Sequence, residues 1–166
     1  MNIAKQIAGY LMSRSLVLVS VETCTAGAIG AMMADQRGAP GCLDLGYVAH
    51  SAAALAVLPG VSTQTIARHG PVSEAVAREA AEGALARSAG RASVALASIG
   101  WLANEDHAPG AAVTHCLAWA CIEGGRVHSA GEAVCLSGRR GEIRKSIARR
   151  ALLGLPRFVD GVLACE

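Results

Sequence analysis

The sequence contains very few aromatic residues. Phe, Trp and Tyr together make up 3% of its 166 residues, although hydrophobic residues as a whole make up 52%. A core of this composition has to be packed from small and branched aliphatic side chains, which indicates close contact between helices and sheet. The length suits one domain with a sizeable core, and we therefore expect residues 1–166 to form a single domain.

A strong net charge and a long apolar run are also missing. Fifteen Lys and Arg against thirteen Asp and Glu leave a formal charge of +2, which argues against the strongly basic surface of a nucleic-acid-binding protein. Polar residues interrupt every apolar stretch well before the roughly 20 residues of a membrane-spanning helix. The N-terminal segment has no basic start followed by an apolar run and a cleavage site. We expect a cytoplasmic protein with no nucleic-acid or membrane partner.

Metal-binding motifs are absent from the cysteine pattern. The six cysteines form no C-x-x-C pair and no Cys/His cluster with zinc spacing. His107, His115 and His128 fall in different predicted elements. We therefore expect no cofactor and no metal, and we interpret most of the cysteines as buried free thiols.

The residues that are present alternate between helical and strand patterns. The first two predicted helices pass through 3–11 and 29–33, and two short ones cover 52–57 and 61–68. The longest predicted helix covers 73–88, with Ser73 as its N-cap, and the last one begins at about 141. The predicted strands are 16–21, 43–51, 92–99, 113–122 and 126–136, with loops at 38–41 and 100–110. The last two strands flank Glu123-Gly124-Gly125 and form a β-hairpin. This order predicts an α/β fold: a single layered domain with a mixed, mostly parallel sheet, one antiparallel hairpin and helices on both faces.

Four segments, in order along the chain, carry a family resemblance. They are V-E-T-C-T-A-G at 21–27, G-Y-V-A-H-S at 46–51, H-G-P-V-S-E at 69–74 and L-S-G-R-R at 136–140. They resemble A-E-S-C-T-G-G, G-x-V-x-Y-S, H-G-A-V-S-E and F-x-G-D-R of the CinA C-terminal domain family. The resemblance implies that family's fold and a candidate reaction, the hydrolysis of the carboxamide of nicotinamide mononucleotide to the acid and ammonia in pyridine nucleotide recycling. It also implies a small-molecule nucleotide or amide substrate, a stand-alone form without the molybdopterin-binding-like domain of larger members, and a homo-oligomer.

The resemblance breaks at the family's catalytic residues. Thr23 stands in place of the family Ser nucleophile, Leu55 in place of its Lys base and His50 in place of its Tyr. We predict Thr23 as the catalytic nucleophile and His50 as its general base. Thr23 is equally consistent with a helix cap or turn hydrogen bond, as Thr25 is with a cap, and His50 with a backbone hydrogen bond at a strand end. Cys24 is the better intrinsic nucleophile at a helix start, although packing as a buried thiol is its commoner role.

The predicted substrate-binding residues come from the same segments. They are Glu22, Cys24, Thr25, Gly27, Ser51, Arg140 and Arg144. The two arginines match family positions and suit bidentate contact with a phosphate, or else form a solvated helix start. The family's Gly-rich phosphate loop is replaced here by residues 100–112, whose acidic pair Glu105 and Asp106 repels a phosphate unless it points to solvent.

Two functions follow from these matches and replacements. The first is an amidohydrolase with weakened or altered activity toward nicotinamide mononucleotide or a related amide. The alternative is a catalytically inactive homologue, a pseudoenzyme that serves as a ligand-binding or homo-oligomeric interaction module.

Overall fold

The fold is a five-stranded mixed sheet with helices on both faces. The computed structural model describes residues 2–104 and 107–165. The strands are β1 (Leu18–Glu22), β2 (Leu43–Val48), β3 (Val94–Ile99), β4 (Val113–Glu123) and β5 (Arg126–Leu136). The helices are α1 (Ile3–Ser13), α2 (Ala28–Ala34), α3 (Ala52–Leu55), α4 (Thr63–His69), α5 (Glu74–Arg87) and α6 (Arg140–Ala164). This arrangement confirms the predicted α/β class.

The strand order is β2-β1-β3-β4-β5. β1 pairs in parallel with β2 on one side and β3 on the other, whereas β4 is antiparallel to both β3 and β5. The hairpin turn falls at 124–125, where the Gly-Gly pair was predicted to reverse the chain. Because β1 and β3 run in parallel, their carboxyl ends lie side by side at one edge of the sheet, where ligands bind in α/β proteins.

Two aliphatic cores lie on opposite faces of the sheet. On one face, α1, α2 and α6 pack through large residues such as Ile7, Ile29 and Leu152. On the other, α5 packs its alanines against β1, β3 and β4. Small side chains bring α5 close to the strands, as the low aromatic content predicted.

Several local predictions need correction. The 38–41 loop contains a short 3-10 helix at Ala39–Gly41, and the longest helix is α6 with 25 residues, not α5 with 14. Ser73 caps α5 as predicted, with its Oγ accepting from Val76 N at 3.1 Å. Neither Thr23 nor Thr25 caps α2: the N-cap position is Gly27, which has no side chain.

None of the helices within 2–104 and 107–165 is long and apolar enough to cross a membrane.

The contact between α6 and β4 depends on a glycine. A Cβ added at Gly154 would lie 2.1 Å from Cζ2 of Trp119, whose Nε1 donates to the carbonyl of Ala151 at 2.9 Å. We expect Gly154→Ala to lower the free energy of unfolding by about 2 kcal/mol, because a rigid ring or the helix must move. Urea denaturation measures this. The matched control is Gly161→Ala in the same helix, where nothing lies within 4 Å and alanine should stabilise by up to about 1 kcal/mol. Equal stability of the two variants would contradict the packing.

Candidate functional site

A buried carboxylate organises the turn that follows β1. Glu22 is 2% exposed and accepts hydrogen bonds from Thr25 Oγ1 at 2.6 Å, Ile29 N at 3.0 Å and Gly30 N at 3.1 Å. The two amides belong to the first turn of α2, where a negative charge meets the positive end of the helix. Glu22 therefore caps α2 from the end of β1 and fixes the turn at 23–27.

Gly27 closes this turn in the left-handed conformation, with φ of +91°. That conformation favours glycine, because any side chain is strained there. The predicted binding residues Glu22, Thr25 and Gly27 thus hold the shape of the turn.

The hydroxyl of Thr23 is engaged by backbone groups. Thr23 is fully buried, and its hydroxyl proton is shared between the carbonyl oxygens of Gly100 at 2.8 Å and Ser98 at 3.1 Å. The hydroxyl oxygen accepts a hydrogen bond from Gly100 N at 2.9 Å. These bonds tie the end of β1 to the end of β3.

The residues after β2 lie differently. His50 is exposed, and the part of the chain that the structure describes shows no hydrogen bond between it and Thr23. Ser51 is the N-cap of α3, with its Oγ accepting from Ala54 N at 3.1 Å, and Leu55 is fully buried. The catalytic roles of Thr23 and His50 stay predictions, and the structure does not bring their side chains into contact.

The two predicted phosphate ligands lie one turn apart on α6 and reach toward the loops after β1 and β3. Arg144 is half-buried and its Nε donates to the carbonyl of Cys24 at 2.8 Å. Arg140 is exposed and donates to the carbonyl of Ala103 at 2.7 Å. One guanidinium group therefore contacts the turn at 23–27 and the other contacts the loop after β3, a placement that suits an anionic ligand.

Cys24 meets two residues that the sequence analysis did not select for the site. Its Sγ lies 3.8 Å from Nδ1 of His115, and Nε2 of His115 lies 2.8 Å from Oγ of Ser98. His115 and Ser98 are fully buried, whereas Cys24 is 9% exposed. The imidazole thus contacts the thiol through one ring nitrogen and the hydroxyl through the other, a series of contacts that we call the Cys24–His115–Ser98 line.

Burial dominates the electrostatics of this line. It raises the pKa of the Cys24 thiol to about 11, although Arg144 and Arg140 act in the opposite direction. It lowers the pKa of His115 to about 4. At neutral pH the thiol is therefore protonated and the imidazole is neutral and able to accept a proton.

A signal for His115 was present in the sequence. Alternation along β4 puts Val113, His115, Leu117 and Trp119 on one face of the strand. An imidazole among these apolar residues needs a polar partner. Ser98 gives no such signal, because its strand shows no alternation of polar and apolar residues.

Glu105 and Asp106, which were predicted to face solvent or repel a phosphate, lie outside the described residues.

The model of the CinA C-terminal domain matches residues 1–159. The chain belongs to this family. Among curated relatives, a CinA-like protein of Akkermansia muciniphila is 34% identical over 93% of the chain and 36% of its own length. The nicotinamide-nucleotide amidohydrolase PncC of Escherichia coli is 31% identical over 92% of the chain and 90% of its own length. The chain spans 22% to 39% of the length of the CinA-like proteins of Akkermansia muciniphila and Chlorobaculum tepidum and of a competence-damage inducible protein of Symbiobacterium thermophilum.

Solved structures of the CinA family share the fold. A CinA superfamily protein from Escherichia coli matches with a TM-score of 0.75 at 28% identity, covering 92% of this chain and 86% of that one. A competence/damage inducible protein from Agrobacterium tumefaciens matches with a TM-score of 0.73 at 28% identity, covering 90% and 89%.

Proposed function

We propose that this member of the CinA family hydrolyses the carboxamide of nicotinamide mononucleotide or of a closely related small amide, with an activity weakened or altered from that of its relatives. The observation that carries the proposal is the match to PncC of Escherichia coli, which extends over 92% of the chain and 90% of that enzyme. A relative of nearly the same length, named a nicotinamide-nucleotide amidohydrolase, makes amide hydrolysis the first reaction to test.

The geometry at the carboxyl ends of β1 and β3 supports this reaction class. Amide hydrolysis needs a nucleophile, a base and a way to hold the substrate. The turn at 23–27 offers a hydroxyl and a thiol, and Arg144 and Arg140 supply positive charge beside it for a substrate phosphate. Glu22 keeps this turn in place through its bonds to α2.

Two observations favour the alternative of an inactive ligand-binding module. The position of the family Lys is occupied by Leu55, which is fully buried, and the Thr23 hydroxyl donates to a backbone carbonyl. Under this alternative the arginines still bind the nucleotide but no bond is broken. A cytoplasmic location, a homo-oligomer and a single domain over 1–166 stay predictions.

Ammonia release distinguishes the two functions. The protein is purified from an Escherichia coli strain that lacks its own PncC, and is incubated with nicotinamide mononucleotide and a panel of related amides. The control is the double variant Thr23→Ala, Cys24→Ala, which removes both candidate nucleophiles. We expect ammonia from the wild type at least tenfold above the control.

Calorimetric titration with nicotinamide mononucleotide tests binding in parallel. Binding with no ammonia above the control would support the inactive module. Neither binding nor turnover would overturn both functions.

A further inference from the structure

Three side chains from three separate elements make up the Cys24–His115–Ser98 line. Cys24 comes from the turn after β1, Ser98 from β3 and His115 from β4. The distance from Cys24 Sγ to His115 Nδ1 is 3.8 Å, and that from His115 Nε2 to Ser98 Oγ is 2.8 Å. A nucleophile, a base and a group that orients the base is the arrangement used in covalent catalysis.

Strand register brings His115 and Ser98 together. Ser98 is opposite Leu117 in the antiparallel pair of β3 and β4, and His115 lies two residues before Leu117 on the same face. The imidazole occupies space that a side chain at residue 100 would fill, since a Cβ on Gly100 would lie 2.2 Å from its Nδ1. The glycine thus leaves the ring nitrogen open toward Cys24.

We propose that Cys24 is the catalytic nucleophile of this protein, that His115 is its general base, and that Ser98 is a positioning residue for the imidazole. This inference rests on the proposed amide hydrolysis and names the group that performs it. The substrate class is a small carboxamide whose carbonyl carbon approaches the turn at 23–27.

Cys24 is better placed than Thr23 for this role. Cys24 is 9% exposed and its thiol lies near an imidazole nitrogen, whereas Thr23 is fully buried and its hydroxyl is hydrogen-bonded to Gly100. An attack by Thr23 has to break these bonds and would leave the buried Gly100 amide without its acceptor. An attack by Cys24 breaks neither of them.

The proposed reaction uses one of the two neutral tautomers of His115. When His115 Nε2 carries the proton and donates to Ser98 Oγ, Nδ1 has a free lone pair directed toward Cys24. The thiol proton then passes to Nδ1 as sulfur bonds to the amide carbon. The C–N bond breaks, the nitrogen takes the proton from Nδ1, and ammonia leaves a thioester on Cys24. Water attacks the thioester, gives a proton to Nδ1, and releases the acid while the proton returns to the thiolate.

Burial of Cys24 and His115 favours proton transfer during the reaction over a preformed ion pair. Burial keeps the pKa of Cys24 high and that of His115 low, so both groups are neutral before attack. Arg144 and Arg140 favour the thiolate, and Glu22 opposes it. The negative charge that develops at sulfur and on the amide oxygen therefore forms beside two cations.

The experiment compares ammonia release by Cys24→Ala and His115→Asn with release by the wild type and by Cys116→Ala. Cys116 is the matched control because it is a buried thiol next to His115 in β4, on the opposite face of the sheet. We expect at least a 100-fold loss of rate in both site variants and less than a threefold change in Cys116→Ala. Full activity in Cys24→Ala would overturn the nucleophile while leaving the proposed function intact.

A second measurement does not depend on turnover. Iodoacetamide alkylation, mapped by peptide mass spectrometry, should modify Cys24 at least tenfold faster in the wild type than in His115→Asn, with Cys135 as an internal exposed reference. If the wild type releases no ammonia, the proposed function fails, and the alkylation rate of Cys24 is then the only test of the Cys24–His115 pair. A Cys24 rate unchanged in His115→Asn would overturn the pair in either case.

Ser98 is tested by a kinetic signature. We expect Ser98→Ala to lower kcat about tenfold at unchanged KM, and Ser98→Thr, which keeps a hydroxyl, to restore most of it. Equal losses in the two variants, or a rise in KM alone, would contradict the positioning role.

Discussion

Replacement of Glu22 by alanine is expected to lower the free energy of unfolding by about 3–5 kcal/mol. The carboxylate accepts hydrogen bonds from Thr25 Oγ1, Ile29 N and Gly30 N while being almost entirely buried. Each bond to a charged acceptor contributes about 1.5–3 kcal/mol, and the Thr25 hydroxyl and the Ile29 amide are left buried without that acceptor. Relief of the buried negative charge offsets part of this loss. Equilibrium urea denaturation at neutral pH measures the change.

The control for this prediction is Glu142→Ala at the start of α6. Glu142 also serves a helix N-terminus, but it is exposed and accepts from Arg139 N at 3.4 Å. Loss of such an exposed contact costs under about 1 kcal/mol. If both alanine variants lose the same stability, burial does not account for the contribution of Glu22 to the free energy of unfolding.

An isosteric variant isolates the acceptor from the side-chain volume. Glu22→Gln retains one carbonyl oxygen but turns the other acceptor into an NH2 group facing an N–H donor. We expect an intermediate loss of about 2 kcal/mol. Since the turn at 23–27 carries Cys24, the same variants should also displace the thiol from His115.

The order of the elements was predictable because each one carries its own local signal. Alternation and a Gly-Gly pair placed the hairpin of β4 and β5, and a serine before an amphipathic run marked the start of α5. Helix α6 is longer than α5, contrary to the prediction, although Gly154 and Pro156 lie inside it and both disfavour helix in isolation. Tertiary packing against Trp119 overrides that local preference.

The cap of α2 was predicted wrongly for a physical reason. Thr23 and Thr25 have the side chains of typical N-caps, but a capping hydroxyl has to lie at the N-cap position itself. Here the backbone turns through Gly27, and a carboxylate at the end of β1 reaches the free amides instead. Capping across a turn depends on how strand and helix are joined, which local sequence preferences do not describe.

The candidate site was only partly predictable from the chain. Family motifs located the turn at 23–27 and the arginines of α6, and the structure brings Arg144 into contact with that turn. His115 and Ser98 join Cys24 through the register of β3 against β4, a pairing between residues 17 positions apart. Neither residue lies in the segments that carry the family resemblance, so the motifs give no signal for them.

Acid is expected to destabilise the protein through His115. Its pKa in the folded state is about 4, because the imidazole is fully buried, while an unfolded chain has about 6.5. Between these values the unfolded state binds more protons than the native state, so stability falls as the pH is lowered. A shift of this size corresponds to about 3 kcal/mol between pH 7 and pH 4. The stability of the wild type should therefore drop by about that much more than the stability of His115→Asn.

The measurement is urea denaturation at half-unit steps from pH 7 to pH 4, with His69→Asn as the control. His69 is exposed, so its replacement removes no buried imidazole. The stability of His69→Asn should therefore change with pH in parallel with that of the wild type. A profile for His115→Asn that also runs parallel would contradict a buried neutral imidazole. In the folded protein the lone pair of Nδ1, the atom that lies 3.8 Å from the Cys24 thiol, stays free of a proton until the pH approaches about 4. Ammonia release should therefore fall only as the pH approaches about 4, below the range in which stability first falls, because the rate follows protonation of the folded protein and the stability follows protonation of the unfolded chain.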